Sequence, residues 1–429
     1  MASSGFYAGR FAQSRAAFRR HRQNKRTLER TASRRTRRGL DWLNFFLADV
    51  QTGFGAFVAF YLAGLHWSQE SVGVVLTIGR VVSALGLIPG GALADATPWK
   101  RALTASGLVM IAGAALILAL WPTWMLVAGA EVLHGLTAGI LGPAIAAMSL
   151  GIVGRRALSS RTGRNHRFQG AGNALTAVLL GLLGYVAQPA IFLATAALTI
   201  PALVALCFIR SDEIDFARAR NAAKGAEAPS LGNILELRKN SQLLWFACCV
   251  ALFQFADASL LPLASEQIGS GRSAQSSLMM SGLVVTPQVA VAILAPWIGY
   301  LSELWGRKPL LLIGFAVQIV RAGLFAFISS PILLIAVQFL DGVTGAILTV
   351  LTVVIVADLT AGTGRFNLAR GAIGFLATLA ASFSTAVSGF ISQEIGRSAG
   401  FLGMGAVAAV GTLLVWLMLA ESKPERYEE

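Results

Sequence analysis

After residue 41 the chain is a succession of long apolar runs separated by short polar segments. Each run is long enough to cross a bilayer core, which takes about 20 residues of helix. Only helices or closed barrels satisfy their backbone groups in lipid, and barrel strands would be shorter and would alternate apolar with polar positions. The pattern therefore predicts an all-α membrane protein with twelve transmembrane helices. The predicted spans, numbered 1 to 12, are 42–64, 71–93, 102–121, 124–152, 168–187, 190–209, 243–265, 277–299, 309–328, 331–358, 371–392 and 398–420.

Composition agrees with this prediction. Of the 429 residues, 55% are hydrophobic and 13% are charged, and the mean hydropathy is +0.66. Soluble proteins carry roughly 25% charged residues, so a disordered chain, a nucleic-acid-binding domain and an ordinary cytosolic enzyme are all excluded. The three cysteines, Cys207, Cys248 and Cys249, lie in apolar runs and have neither metal-ligand spacing nor a disulfide framework.

The basic residues predict the orientation in the membrane. Of the 35 Lys and Arg residues, all but Arg80, Arg272, Arg321 and Arg397 fall in segments on one side of the predicted spans. Positive charge concentrates on the cytoplasmic side of membrane proteins. Both termini are therefore predicted to be cytoplasmic, in an integral protein of a bacterial inner membrane.

The two halves of the chain share short sequence matches, in the same order and at a nearly constant offset. A polar cytoplasmic linker, 211–241, separates them. Repeats with the same membrane orientation are related by an axis along the membrane normal, which predicts two pseudo-symmetric six-helix bundles at 40–210 and 242–420. The matching segments are Ala48-Asp49 with Ala256-Asp257, Gly91–Asp95 with Gly299–Glu303, Leu133–Thr137 with Leu340–Thr344, and Thr162–Arg164 with Thr363–Arg365.

The two ends of the chain are polar. Residues 1–39 are rich in Lys and Arg, with Glu29 as their acid, and are predicted to form a disordered cytoplasmic arm that enforces orientation. Binding to anionic lipid headgroups and an organelle transit peptide are alternatives for this arm. Residues 421–429 are predicted to be a cytoplasmic tail.

Two loops resemble a signature of the major facilitator superfamily of secondary transporters, Gly-x-x-x-Asp-x-x-Gly-Arg-Lys/Arg-x-x-Leu. After span 2, the matching residues are Gly91, Asp95, Lys100 and Leu103, with Arg101 beside them and with Pro98 and Trp99 in place of Gly and Arg. After span 8, the matching residues are Gly299, Glu303, Gly306, Arg307, Lys308 and Leu311. The resemblance covers residues from about 40 to 420. It implies two bundles that alternate access to a central site, and a transporter rather than an enzyme.

The signature loops are predicted to be gates. Gly91 would allow close backbone approach, and Asp95 would sit against the positive N-terminus of span 11. Lys100 and Arg101 are predicted to anchor the loop at the membrane surface, although a solvated turn is the alternative. The repeated gating set is Gly299, Glu303, Arg307 and Lys308.

Ionisable residues inside spans usually face a bundle interior or a wet cavity. Arg80 and Glu131 lie at similar predicted depths, so they could pair. Glu131 and His134 share one helix face, and His134 could relay a proton. In the family, span 4 has an Arg-x-x-Gln-Gly signature, and this chain has Glu131 in place of its arginine. The residues predicted for proton coupling or substrate binding are Asp49, Arg80, Glu131, His134, Asp257 and Asp341.

Structural pairing is the alternative for each of these residues, and a metal site at Glu131 and His134 is a remoter one. Span 9 lies at the periphery of this fold, so Arg321 is predicted to be structural or to snorkel. Asp358 is predicted to be interfacial, and His166 to lie in a loop. Glycines in span 5 resemble, weakly, a signature of drug antiporters, which favours the efflux branch of the family.

The predicted function is proton-coupled efflux of a small organic solute. An uptake symporter or a facilitator of the same fold is the alternative. A membrane-embedded enzyme is remote, because the chain has no Ser-His-Asp cluster, metalloprotease motif or phosphate loop. The expected partners are the solute, protons and membrane lipid. No cofactor, metal or nucleic acid is expected, and the protein is predicted to be a monomer.

Overall fold

The computed structural model describes residues 32–52, 56–186, 188–223, 233–268 and 274–425. Across these residues the chain forms helices and loops, with no β-strand. Ten helices are long and apolar enough to cross a membrane. One of these helices, the longest, bends at Gly154 and forms both span 4 and span 5, so the ten helices provide eleven spans. Span 1, which consists of two shorter helices, completes the predicted twelve. The predicted all-α, twelve-span fold is confirmed.

The boundaries of the spans follow the hydropathy pattern closely. In chain order the helices are Arg34–Thr52 and Ala56–Gly64 (span 1), Gln69–Ala96 (span 2), Lys100–Leu120 (span 3), Trp124–Val186 (spans 4 and 5), Gln188–Cys207 (span 6), Ser241–Ala258 and Leu260–Ile268 (span 7), Ala274–Trp305 (span 8), Arg307–Phe327 (span 9), Pro331–Leu359 (span 10), Phe366–Glu394 (span 11) and Arg397–Met418 (span 12). Between spans 6 and 7 lie two 3-10 turns and a short helix, which are Ser211–Glu213, Asn233–Lys239 and Phe216–Ala219.

Three spans begin well before their predicted starts, whereas the others lie within a few residues of them. Span 1 begins at Arg34, so the end of the predicted disordered arm is helical, and span 11 begins at Phe366. Span 5 follows directly on Gly154, whose φ of 68° and ψ of 174° break the helix in a conformation that glycine adopts without strain. The predicted polar loop at 155–167 is therefore wrong. Hydropathy marks where a helix meets lipid, whereas backbone hydrogen bonding continues the helix past that point.

Both ends of the described chain lie at the same end of the bundle, which we call the terminal face. There the backbone amide of Ser33 donates to Glu213 Oε2 at 2.9 Å, and the amide of Arg307 donates to Glu421 Oε1 at 2.9 Å. The loops that follow spans 2, 4, 6, 8 and 10 share this face, and we call the opposite end the far face.

Each set of six spans packs around its own apolar core. The rings of Tyr61 and Phe192 meet edge to face at 5.0 Å in the first six spans. In the last six spans, the rings of Phe253 and Phe315 pack edge to face with their centres 5.1 Å apart. Because lipid tails are as apolar as these side chains, close packing rather than exclusion of water holds such helices together.

Small residues bring spans 2 and 4 into direct backbone contact. A Cβ atom at Gly90 would overlap the backbone of Gly139, and one at Gly135 would lie 2.6 Å from the carbonyl oxygen of Gly79. This approach places the middle of span 4 against span 2 and positions Glu131 beside Gly79.

Two seams join the bundles, span 2 against span 11 and span 5 against span 8. At the second seam, a Cβ atom at Gly163 would lie 2.5 Å from the carbonyl oxygen of Ala295. Near the terminal face, Gly91 and Leu87 of span 2 pack against span 11. Toward the far face, the same side of span 2 carries Ala84, which is buried, and then Arg80, Thr77 and Gly73, which are exposed. The seam between spans 2 and 11 is therefore closed near the terminal face and parted toward the far face.

Candidate functional site

Asp95 lies at the N-terminus of span 11, the position predicted from the signature loop. Its Oδ1 accepts the backbone amide of Asn367 at 3.1 Å and the side-chain amide at 2.8 Å, and its Oδ2 accepts the amide of Leu368 at 2.8 Å. A carboxylate there satisfies amides that have no partner inside the helix and meets the positive end of the helix dipole. Asp95 thus ties the two bundles together at the terminal face, and its role in gating stays a prediction.

The two signature glycines sit where backbones from the two bundles nearly touch. A Cβ atom at Gly91 would overlap the carbonyl group of Asn367, and one at Gly299 would overlap that of Ser159. The predicted close approach of Gly91 is present, and Gly299 has the same relation to span 5.

Lys100 is buried rather than at the surface, so its predicted anchoring role is wrong. Its ammonium donates to the carbonyl oxygen of Ala94 and lies 5.1 Å from the centre of the Phe216 ring. Span 3 starts at Lys100 itself, with Trp99 as its N-cap residue. Arg101 is half-buried.

In the second signature loop, Arg307 is buried and makes three contacts. Its Nη2 lies 3.0 Å from Glu303 Oε1, its Nε lies 3.0 Å from Asp358 Oδ2, and its Nη1 donates to the carbonyl oxygen of Ser302 at 2.7 Å. Asp358 lies at the end of span 10, as predicted, and its carboxylate is buried because it helps to balance this guanidinium. Lys308 donates to the carbonyl oxygen of Trp416 at 2.8 Å, so this loop is bound to its own bundle.

Three charged side chains meet inside the last six spans, and we call Asp257, Arg321 and Asp341 the ion triad. Nη1 of Arg321 lies 2.5 Å from Asp257 Oδ1 and 2.8 Å from Asp341 Oδ1. Gln318 donates to Asp257 at 3.0 Å, and Arg321 donates to Gln338 at 2.8 Å. Of the two roles predicted for Arg321, these contacts agree with a structural one, and snorkelling to the membrane surface is wrong. Its side chain is 1% exposed, because two acids on spans 7 and 10 neutralise it inside the bundle.

Glu131 faces span 2, where its side chain packs against Gly79. Its Oε1 is buried and has no hydrogen-bond partner among the described residues. Arg80 is close enough to act on Glu131 electrostatically, yet the described residues show no ion pair between them within 4.0 Å. Arg80 instead is exposed on the parted stretch of span 2. The side chain of Asp49 lies outside the described part of the chain, so its role in proton coupling or substrate binding stays a prediction.

His134 lies three residues after Glu131 on span 4. Residues 134, 138 and 142 succeed each other at intervals of one helical turn, and all three are at least partly exposed within a largely buried helix. Gly142 accepts a hydrogen bond from Arg370 of the other bundle at 3.3 Å, so this stripe faces the space between the bundles. Because they are three residues apart on one continuous helix, Glu131 and His134 lie about 60° apart around its axis, which agrees with the predicted shared face.

Sequence reasoning missed a second charge cluster at the terminal face. Asp41 on span 1 is held by Arg161, at 2.6 Å, and by Arg164, at 2.5 Å, both from span 5. In the last six spans, Arg365 pairs with Glu236, just before span 7. The repeated Thr-Gly-Arg segments were the signal, since Arg164 and Arg365 are their last residues. In each bundle, the arginine of the Thr-Gly-Arg segment pairs with an acid at or just before the beginning of the first span.

Arg370 and His166 were also missed. Arg370 belongs to span 11 rather than to a loop, and His166 belongs to span 5. His166 Nδ1 lies 2.8 Å from Gln169 Oε1, and the ring is near enough to Arg370 for an electrostatic interaction. The apolar runs place both residues in loops, whereas spans 5 and 11 begin before those runs and include them. The described residues contain no group of three or more His, Cys, Asp or Glu side chains that could hold a metal.

Two six-helix bundles that are closed on each other at one face, with charged groups inside the spans, define a membrane transporter and not an enzyme. Comparison with known proteins agrees. A family model described as "Major Facilitator Superfamily" matches residues 42–287 and 274–429. The chain belongs to the major facilitator superfamily, as its two signature loops predicted, and is an integral membrane protein.

Two curated relatives come from Mycobacterium tuberculosis, strains CDC 1551 / Oshkosh and H37Rv, and each is described as an uncharacterized MFS-type transporter. Each is 35% identical over 392 residues, covering 90% of this chain and 94% of the relative. A solved structure, that of the human organic anion transporter MFSD10 (TETRAN), superposes with a TM-score of 0.65 at 17% identity and covers 90% of this chain and 100% of that one. This last likeness shows the shared fold.

Proposed function

We propose that the protein exports a small organic solute in exchange for protons. In this proposal the bundles 40–210 and 242–420 rock around a central site, joined by the linker 211–241. The terminal face is cytoplasmic, the membrane is a bacterial inner membrane, the protein works as a monomer, and the basic N-terminal arm contacts anionic lipid headgroups. The concentration of Lys and Arg on one side of the spans supports this orientation.

The observation that carries proton coupling is the unsatisfied carboxyl of Glu131. An ionised carboxylate with no partner is strongly disfavoured in apolar surroundings, so the neutral, protonated form is the stable one in this arrangement. A nearby guanidinium favours the ionised form. If closure of the far face carries Arg80 from its exposed position toward Glu131, the proton is released. Protonation then alternates with the state of the far face.

The ion triad supports a second proton step. One guanidinium against two carboxylates leaves one negative charge in excess within the membrane. Asp257 and Asp341 keep 27% and 22% of their side-chain surface exposed, so a proton can reach them. His134, on the stripe facing the centre, is placed to pass protons along the pathway.

The test uses the purified protein in liposomes with an imposed pH gradient and a panel of labelled organic solutes. We expect gradient-driven movement of at least one solute, and we expect Glu131→Gln to abolish the dependence on the gradient. Glu394→Gln, which changes an exposed residue at the end of span 11, is the matched control. If solute movement by the unmodified protein does not depend on the pH gradient, the protein is a facilitator instead.

A second measurement follows Glu131 without any solute. Difference infrared spectra recorded across a pH titration should contain the carbonyl-stretch signal of a protonated carboxyl. That signal should be missing in Glu131→Gln and present in Glu394→Gln. An identical spectrum in Glu131→Gln would remove Glu131 from the mechanism.

A further inference from the structure

Arg370 reaches from one bundle to the other and has only a weak partner. It lies in the first turns of span 11, and its Nη1 donates to the carbonyl oxygen of Gly142 on span 4 at 3.3 Å. Its guanidinium lies 5.8 Å from the centre of the Phe366 ring, and its buried Nε has no hydrogen-bond partner in the part of the chain that the structure describes. Within the described residues it forms no ion pair closer than 4.0 Å.

Open space lies next to this arginine. A Cβ atom added at Gly142 would meet no atom within 4 Å, and Gly142 is exposed although Leu141 and Pro143 on either side of it are buried. Because the other bundle's Arg370 contacts Gly142, the space borders the junction between the bundles.

The groups near Arg370 are an imidazole, its amide partner and one carboxylate. His166 and Gln169 come from span 5, and the acid that acts on Arg370 electrostatically is Asp95. The Asp95 carboxylate is already bound by three amide donors at the start of span 11. The space thus keeps a net attraction for a negative charge.

We propose that Arg370 binds the acidic group of the transported solute, so that the exported compounds are organic anions. A guanidinium offers a fork of donors that matches a carboxylate, sulfonate or phosphate. In the structure the carbonyl oxygen of Gly142 takes one of these donors, and a solute's anionic group replaces it. Solute binding therefore breaks a contact between the bundles, and solute release toward the far face restores it. This inference rests on the proposed transport function and names its substrate class.

The test measures charge selectivity at Gly142 with reagents of defined charge. In a background with Cys207, Cys248 and Cys249 replaced, Gly142→Cys introduces a thiol where there is room for it. Its reaction rates with anionic sulfonatoethyl methanethiosulfonate and cationic trimethylammonioethyl methanethiosulfonate are each divided by the rates with free 2-mercaptoethanol. We expect the anionic reagent to be favoured roughly tenfold, as a nearby unit positive charge at reduced dielectric predicts.

Two further variants isolate the arginine. Arg370→Gln should remove the preference, whereas Arg370→Lys should keep it, and retained folding of both is checked by size-exclusion chromatography. An unchanged preference in Arg370→Gln, or a thiol at position 142 that neither reagent reaches, would overturn the proposal.

The transport assay separates this inference from the proposed function. If the solutes moved by the gradient are organic anions and Arg370→Gln raises their KM, both proposals stand. If they are cations, proton-coupled export stands and the anion subsite falls. If Glu131→Gln stays coupled while the charge preference at Gly142→Cys persists, the proposed role of Glu131 falls and the subsite stands.

Discussion

The carboxylate of Asp95 accepts the backbone amide of Leu368 at 2.8 Å, and this bond crosses from span 2 to span 11. Together with the two donors of Asn367, it caps the N-terminus of a helix that belongs to the other bundle. A cap normally stabilises its own helix. Here the cap also sets the distance between the bundles, so breaking it favours the state in which the terminal face is open.

Asp95→Asn keeps the shape of the side chain and replaces an acceptor with an amide donor. One of the donors at Asn367 or Leu368 then loses its partner, which costs about 1–3 kcal/mol in the closed state. We expect increased labelling of cysteines introduced at the terminal face. Asp212→Asn, in an exposed pair with Arg210, should leave labelling unchanged. Equal labelling in the two variants would contradict the role of Asp95.

Gly91→Ala should prevent the terminal face from closing, because the added methyl group overlaps the Asn367 carbonyl. Gly113→Ala is the matched control, since its Cβ would meet nothing within 4 Å, and it should stabilise span 3 by roughly 0.5–1 kcal/mol. Distances between spin labels on the two bundles measure closure. A closed-state distance that survives in Gly91→Ala would show that span 11 shifts at little cost.

The sequence predicted the number of spans, their order and the position of Asp95, because these follow from apolar length and from a local motif. It did not predict the partners of Arg321 or Arg370. The rotation of a helix about its axis decides whether an arginine meets lipid or an acid from another span, and that rotation depends on packing across the bundle. Arg370 was further hidden because span 11 begins before its apolar run.

The linker contributes to closure as well. Backbone groups of Arg220 and Asn221 bond to Phe366 and Gly364 in the loop before span 11, while the amide of Asp215 donates to Gly151 at the end of span 4. The segment 215–221 therefore contacts both bundles at the terminal face. A covalent linker was expected from the sequence, whereas its folding against both bundles was not.

Asn221 is the residue whose replacement should loosen this segment. Its side-chain amide donates to the carbonyl oxygen of Ala357 at 2.7 Å, and its backbone has a φ of 61°. Asn221→Gly keeps that backbone conformation and loses the side-chain bond, worth about 0.5–1.5 kcal/mol. Asn221→Ala should lose roughly 1–2 kcal/mol more because of left-handed strain. Hydrogen exchange of residues 215–223 should rise in that order, and an equal effect of both variants would refute the backbone argument.

Arg321→Gln should destabilise the protein by about 1–3 kcal/mol, because it leaves two partly buried carboxylates without their counter-charge. The triple variant with Asp257→Asn and Asp341→Asn removes all three charges and should recover much of that loss. Arg397→Gln, an exposed arginine at the start of span 12, is the control. Denaturant unfolding in detergent measures the difference, and equal stability of the single and triple variants would show that the triad does not act as a unit.

Acidification should fray the beginning of span 1 through Glu213. Partial burial raises the pKa of this carboxyl, but hydrogen bonds from the Ser33 amide and from the Thr36 and Ser33 hydroxyls, together with the nearby Arg210, outweigh burial and hold the pKa below its usual 4.5. A depressed pKa means that the ionised form stabilises the folded state. This stabilisation is present above the unfolded pKa and is lost as the pH falls through the lower folded pKa. Hydrogen exchange at residues 34–37, corrected for its intrinsic pH dependence, should therefore rise on acidification. Glu213→Gln should exchange faster at neutral pH and show no further rise, whereas an unchanged pH profile in that variant would assign the effect to another group.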